Sequence, residues 1–256
     1  MARRMLYARW MIKSSSMTRA SNRRQLTLYL LFALVWQTGF ATVRVINEGV
    51  PGESSAEVDD RLDTALKLYK PQYVVVFVGM NDAANDRKFL SPQQTGHHVD
   101  AMIKRSQSFG AKVVVVSVHQ PDTVRLMQRH KPEAYGSISP TQRVDTLNDV
   151  LRKIARQDHA AFADFHDALQ RAGGADIRMS TDGVHLTLKG YALLASTVRN
   201  VLPKRIDPAS TVLCIGDSLT YGIGVRPPGG SPEATETYPA QLQSLLRAET
   251  TLQTNR

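Results

Sequence analysis

The sequence predicts a three-layer α/β/α fold with a doubly wound, mainly parallel sheet as its middle layer. Short apolar runs rich in β-branched residues alternate with amphipathic segments along residues 42–256, which is the pattern of buried parallel strands joined by helices. Motifs rich in glycine, serine or aspartate follow several of the runs directly, as expected for loops at the carboxyl ends of parallel strands. The chain of 256 residues is long enough to bury one substantial core.

Five short runs carry the strand prediction. Tyr73–Val78 and Lys112–Val118 are continuous and β-branched, which is typical of central strands, and Ala160–Asp164 is a weaker candidate. Val43–Ile46 precedes them in the chain, and Thr211–Ile215 follows them.

Helix-capping patterns mark the segments between the strands. Ser54 and Glu57 match a capping box, in which two side chains satisfy free backbone N–H groups at a helix start. Serine followed by proline begins two further helices. Helix starts are therefore expected near Ser54, Ser91, Ser139, Thr187 and Tyr238.

The positive charge is concentrated in a leader, residues 1–41. The formal net charge is +9, but residues 1–40 hold seven Lys or Arg and no Asp or Glu, which leaves +2 for the rest. This distribution argues against a nucleic-acid surface on the folded domain, residues 42–256. The apolar run 26–36 predicts a signal peptide or a membrane anchor, and hence export or membrane attachment. Met17 is an alternative start, and an extra buried helix in a cytoplasmic protein is the alternative structure.

The sequence offers no sign of a cofactor. A single cysteine, Cys214, excludes an intramolecular disulfide and a multi-cysteine metal site. Neither a P-loop nor a dinucleotide-binding glycine pattern occurs. We therefore expect no metal and no organic cofactor.

A serine turn near the C-terminus carries the strongest chemical signal. Ser218 lies on a Gly-Asp-Ser turn directly after the last expected strand, where α/β enzymes expose a nucleophile. A serine hydroxyl needs a base, and His185 can serve if Asp182, three residues earlier, orients its ring. The alternatives are a simple helix cap at Ser218 and a surface-loop pair at Asp182 and His185.

Donors for a developing oxyanion are expected beside that serine. They are the backbone N–H groups of Ser218 and Gly49 and the side-chain amide of Asn81. Gly49 and Asn81 follow the first two expected strands, so a parallel sheet brings them to the edge that carries Ser218. Gly52 is expected to be a turn glycine, and His119 either touches substrate or lies in a loop.

These sequence blocks resemble those of the SGNH hydrolases, also called the GDSL esterase/lipase family. The resemblance spans about residues 43–248 and implies a flavodoxin-like fold. Family members begin with the serine block, whereas this chain has it last. Because moving residues 211–249 in front of Val43 restores the usual order, the chain is expected to be circularly permuted. The resemblance implies a triad and an oxyanion hole made by Ser218, His185, Asp182, Gly49 and Asn81.

The expected function is hydrolysis of a small-molecule acyl ester. The same site could serve a carbohydrate acetylesterase, a thioesterase, a lysophospholipase or an acyltransferase. An inactive permuted binding module is the alternative outside enzymes. The segments 119–139 and 225–237 are longer than usual α/β connections, so they are expected to shape the substrate cleft.

Overall fold

The computed structural model describes residues 42–227, 229–231 and 234–254. The expected leader, with its apolar run 26–36 and the alternative start at Met17, lies outside the described residues. No helix in the described ranges has both the length and the apolar character needed to cross a bilayer.

The described chain contains one five-stranded sheet. Its strands are β1 (Arg44–Gly49), β2 (Tyr73–Phe77), β3 (Lys112–Val116), β4 (Ala161–Ala163) and β5 (Thr211–Gly216). All neighbours are parallel, in the order β1-β5-β2-β3-β4. Every predicted strand is present, and the largest difference is that β1 continues to Gly49 instead of ending at Ile46. The residues of β2 are all buried, which explains its continuous apolar sequence.

Helices follow the strands and begin where the capping patterns predict. They are α1 (Ser55–Tyr69), α2 (Met80–Ala84), α3 (Pro92–Ser108), α4 (Thr123–Leu126), α5 (Pro140–Gln157), α6 (Phe165–Arg171), α7 (Leu188–Val201), α8 (Ser218–Tyr221) and α9 (Tyr238–Thr254). Ser54, Ser91 and Ser139 each form a capping box, and Thr187 accepts a hydrogen bond from Gly190 N–H. The short helices α2, α4, α6 and α8 are not predicted, because they are too short to show a helical period.

Two groups of helices cover the sheet. On one side α3 packs between α1 and α5, while α7 and α9 pack against each other on the other side. The inward stripe of α5 is fully buried and consists of Val144, Leu147, Leu151 and Ala155. Removing such stripes from water is the main driving force for this arrangement. The predicted three-layer α/β/α architecture is confirmed.

The direction of the chain across the sheet changes between β5 and β2. The helix α9, which follows β5, lies against β1, whereas α3, which follows β2, lies against β3 on the opposite face. Adjacent parallel strands whose connections leave in opposite directions open a crevice beyond their carboxyl ends. Ser218 and Asn81 lie directly beyond these two ends.

Candidate active site

A serine, a histidine and an aspartate are joined by hydrogen bonds at the crevice. His185 Nε2 lies 3.0 Å from Ser218 Oγ, and His185 Nδ1 lies 2.7 Å from Asp182 Oδ2. The two segments that meet are 33 residues apart in the sequence. Ser218 keeps only 9% of its surface exposed. The structure therefore brings together the three side chains that the sequence singled out, in the order serine, imidazole, carboxylate.

The loop that carries Asp182 and His185 folds back on itself. Asp182 Oδ1 accepts hydrogen bonds from Val184 N–H (3.0 Å) and His185 N–H (2.8 Å), while Thr181 N–H donates to the His185 carbonyl at 2.8 Å. Gly183 has φ = 91°, and a Cβ there would lie 2.9 Å from the Asp122 carbonyl. Only glycine suits such a position, and it lets the chain turn between Asp182 and His185.

The serine turn is fixed from the sheet side. Asp217 Oδ1 accepts a hydrogen bond from Leu219 N–H at 2.9 Å, which caps the short helix that starts at Ser218. Arg61 Nη2 donates to the Gly216 and Glu48 carbonyls, at 2.9 Å each. Because these contacts hold the end of β5, the hydroxyl of Ser218 keeps its place at the crevice.

Three ionisable groups at this edge of the sheet have altered pKa values: Asp182, Asp217 and His119. Burial raises the pKa of Asp182, but hydrogen bonds and charge from His185 outweigh it and hold that pKa well below the usual range. Burial raises the pKa of the Asp217 carboxyl to about 7. Burial also lowers the pKa of His119 to about 4. Asp182 is therefore ionised at neutral pH, as an acceptor for His185 Nδ1–H needs to be.

The side-chain amide of Asn81 lies at the same edge. Asn81 Nδ2 donates to the Glu53 carbonyl at 2.9 Å and lies 3.4 Å from Asp217 Oδ2. The second contact is long for a hydrogen bond. One amide hydrogen is thus firmly engaged and the other is held weakly.

Gly49 does not occupy the place that the sequence predicted for it. It is the last residue of β1, in register with Gly216, and its N–H donates to Asn47 Oδ1 at 3.0 Å. A Cβ at Gly49 would lie 2.0 Å from Tyr221 N, so this glycine permits close packing of β1 against α8. Because β1 ends three residues later than expected, the glycine that reaches the crevice is Gly52.

A cavity of about 320 Å³ opens beside the serine. Its walls combine apolar side chains with two asparagine amides, two histidines and an arginine. They are formed by Pro51, Gly52, Met80, Asn81, Ala84, Asn85, Leu126, Arg129, His130, Val184, His185, Ser218 and Ile223. The segment 119–139 contributes to these walls, as predicted, whereas none of the described residues of 225–237 does.

Two residues of that cavity carried no readable signal in the sequence. Arg129 Nη1 lies 2.7 Å from Asp182 Oδ2, and His130 Nδ1 lies 2.8 Å from Asp86 Oδ1.

His119, for which two interpretations were open, is fully buried, and its Nε2 lies 2.9 Å from the Val184 carbonyl. Among the described residues, no cluster of three or more His, Cys, Asp or Glu could hold a metal ion.

The sequence model of one known family matches this chain. It is the GDSL-like Lipase/Acylhydrolase family, and the match covers residues 17–193, well over half of the chain. The chain belongs to this family. It is thus an acyl ester hydrolase, and the resemblance inferred from the short motifs is confirmed. The matched region ends before Ser218.

Individual proteins and solved structures are also similar to this chain. Esterase TesA of Pseudomonas aeruginosa is 26% identical over 155 residues, which is 60% of this chain and 67% of TesA. A crystal structure of TesA, also at 26% identity, covers 68% of this chain and 87% of its own, with a TM-score of 0.48. The crystal structure of a lipase/acylhydrolase from Enterococcus faecalis is 24% identical, covers 61% and 76% respectively, and has a TM-score of 0.49.

Proposed function

We propose that this hydrolase cleaves esters by nucleophilic attack of Ser218. His185 takes the proton from Ser218 Oγ, and Asp182 orients the imidazole and stabilises its cation. A water molecule activated by His185 then releases the acid from the acyl-enzyme. The observation that carries the proposal is the unbroken line of contacts, 3.0 Å from Ser218 Oγ to His185 Nε2 and 2.7 Å from His185 Nδ1 to Asp182 Oδ2.

The oxyanion would be bound by Ser218 N–H, Gly52 N–H and the Asn81 amide. Gly52 takes the role expected of Gly49, because the Gly49 N–H already donates to Asn47. Gly52, Asn81 and Ser218 line one cavity. In the described ranges, neither the Gly52 nor the Ser218 amide donates to a protein acceptor. A substrate oxygen would replace the weak 3.4 Å contact between Asn81 Nδ2 and Asp217.

The dimensions of the cavity favour compact acyl esters. Its volume of about 320 Å³ lies at the small end of the range of ligand pockets. Met80, Leu126 and Ile223 provide an apolar wall for a short acyl chain, while Asn81, Asn85 and Arg129 supply polar groups to the remainder of the cavity. A panel of p-nitrophenyl esters from acetate to decanoate, with acetylated sugars, lysophospholipids and acyl-thioesters, tests this preference by product release. Faster turnover of decanoate than of butyrate would contradict it.

We also infer that the catalytic domain is circularly permuted. Numbering the strands with β5 first turns the observed order into 2-1-3-4-5, the order of flavodoxin-like doubly wound sheets. The family match, which stops at residue 193, is consistent with a serine block out of its usual place. A rearranged gene that encodes residues 211–249 ahead of residues 43–203 should give an active esterase. A folded but inactive product would count against the inference.

The Ser218→Ala variant tests the nucleophile. Hydrolysis of p-nitrophenyl butyrate should fall to the rate of the buffer, while circular dichroism shows an unchanged fold. The matched control is Ser196→Ala, an exposed serine on α7, which should keep full activity. Turnover by folded Ser218→Ala at the wild-type rate would refute the assignment.

A further inference from the structure

Arg129 contacts the carboxylate of the triad from the cavity wall. Its Nη1 lies 2.7 Å from Asp182 Oδ2 and 3.2 Å from the Asp182 carbonyl oxygen. The arginine side chain is 39% exposed, so the guanidinium lies at the boundary between the catalytic loop and solvent. A cationic side chain that binds both the carboxylate and the backbone of one residue restricts the position of that residue and also stabilises the charge of its carboxylate.

The segment that carries Arg129 is itself anchored on both sides. Before it, Arg125 Nε donates to Asp122 Oδ2 at 2.9 Å, and Arg125 Nη1 donates to the Ser180 carbonyl at 3.0 Å. After it, His130 Nδ1 lies 2.8 Å from Asp86 Oδ1. Arg129 N–H donates to the Leu126 carbonyl at 3.0 Å. The guanidinium is therefore presented to the catalytic loop by a fixed backbone.

The contacts of Asp182 leave few acceptor positions free. Oδ1 accepts from Val184 N–H and His185 N–H, while Oδ2 is shared by His185 Nδ1 and Arg129 Nη1, each at 2.7 Å. Two donors on one oxygen divide its charge between them. A cation on this oxygen holds the carboxylate still, but it also makes the formation of a second cation at His185 less favourable.

We propose that Arg129 is a positioning residue that orients Asp182 and limits how strongly Asp182 favours the protonated form of His185. The inference rests on the proposed triad, because it assumes that His185 is the base. Arg129 then acts on the reaction through Asp182, and the gain from orienting that carboxylate outweighs the repulsion between the guanidinium and the imidazole cation that forms in the transition state.

The charged and titratable groups around His185 come from four elements. Asp182 lies on its own loop and Arg129 lies on the segment after α4. Asp217 lies on the serine turn, and His119 follows β3; both are buried and interact with His185 electrostatically. Of these, Arg129 is the one partly exposed cation in direct contact with the triad in the described part of the chain. It can thus be changed without removing a buried group.

Steady-state kinetics of Arg129→Gln test the positioning role. With p-nitrophenyl butyrate, kcat should fall about fivefold while KM stays within about twofold, because a partly exposed ion pair is lost while the apolar wall and the oxyanion donors of the cavity remain. Arg129→Lys should recover part of the lost kcat. Arg171→Gln, which removes an exposed arginine paired with Asp167 on α6, is the control for a change of net charge and should match the wild type.

The pH profile separates this role from a structural one. Loss of the guanidinium should move the acidic limb of kcat/KM to higher pH by about half a unit, since protonation of His185 is then opposed by one charge fewer. Arg129→Lys keeps the charge and should leave the limb in place. The same holds for Arg171→Gln.

A double-mutant cycle with Asp182→Asn supplies the decisive comparison. Once Asp182 has lost its charge, Arg129→Gln should lower kcat by less than about twofold further. An equal fivefold loss in both backgrounds, a rise in KM alone, or an acidic limb that moves equally in Arg129→Lys would overturn the inference. Turnover by Ser218→Ala would instead refute the triad itself, so the two failures are distinguishable. Thermal melting of each variant identifies any that do not fold. If Arg129→Gln does not fold, Arg129→Lys replaces it in the cycle: a partial loss of kcat that disappears in the Asp182→Asn background supports the inference, and an equal loss in both backgrounds overturns it.

Discussion

The burial of His119 predicts that the protein loses stability in mild acid. The imidazole is fully buried, its Nε2 lies 2.9 Å from the Val184 carbonyl, and no partner of its Nδ1 is found in the described residues. Burial lowers its pKa from 6.5 to about 4, so the folded protein resists a proton that the unfolded chain accepts. The contribution of His119 is complete above pH 6.5 and is lost as the pH falls towards 4.

The size of this effect follows from the two pKa values. With 6.5 in the unfolded chain and about 4 in the folded protein, linkage gives a loss of about 2 kcal/mol in the free energy of unfolding between pH 7.5 and pH 5. His119→Gln keeps a donor for the Val184 carbonyl and cannot titrate. Urea unfolding at both pH values should therefore show that the variant loses about 2 kcal/mol less than the wild type.

A matched variant isolates the buried imidazole from the other histidines. His97 is exposed on α3, so His97→Gln should leave the pH dependence of unfolding unchanged. Asp217, whose raised pKa of about 7 makes the fold less stable as the pH rises, is common to all three proteins and cancels in the comparison. Equal pH dependence in the wild type and His119→Gln would refute the reasoning.

Three further predictions concern single positions. Gly49→Ala should lower the free energy of unfolding by on the order of 3 kcal/mol, because its Cβ would meet Tyr221 N at 2.0 Å. At Gly52 an added Cβ has no atom within 4 Å but φ is 82°, so Gly52→Ala should lower the free energy of unfolding by about 1 kcal/mol. Urea titrations compare the two variants. Asn81→Ala should lower kcat for p-nitrophenyl butyrate about a hundredfold or more with little change in KM; an unchanged kcat contradicts its oxyanion role. Cys214 is fully buried, and burial raises its pKa to about 12. Iodoacetamide should therefore modify it only in urea. Rapid alkylation of the folded protein, detected by mass spectrometry, would contradict this.

Local signals in the sequence were sufficient for the framework of the fold. Apolar runs predicted all five strands. The prediction was clearest for β2 and β3, because a strand buried on both faces has to be apolar throughout. The capping box at Ser54 and the serine-proline pairs at Ser91 and Ser139 predicted where helices start, because such residues suit the first turn of a helix and its free backbone N–H groups. The four short helices gave no periodic signal and were missed.

The site was predicted less evenly. Ser218, His185 and Asp182 follow recognisable turns, and the structure brings them within hydrogen-bond distance. The prediction for Gly49 was wrong because the polar residues Asn47 and Glu48 indicated a loop, whereas they lie directly before the last residue of the edge strand β1. That edge is partly exposed, so β1 tolerates polar residues that a central strand would not.

Arg129 shows a different limit of sequence analysis. Its proposed role depends on contact with Asp182, 53 residues further along the chain, and no local sequence pattern indicates such a pair. A homologue alignment with co-varying positions would be the signal that could find it. In a single sequence, an arginine in a long loop has the composition of an ordinary solvated residue.

Reaction with a fluorophosphonate probe tests the central claim most directly, since it requires a serine activated by a histidine from a distant segment. Peptide mapping of the folded wild type should find one adduct, on Ser218, and folded His185→Ala should react far more slowly. Labelling of His185→Ala at the wild-type rate, or a folded wild type without an adduct on Ser218, would contradict the proposed triad.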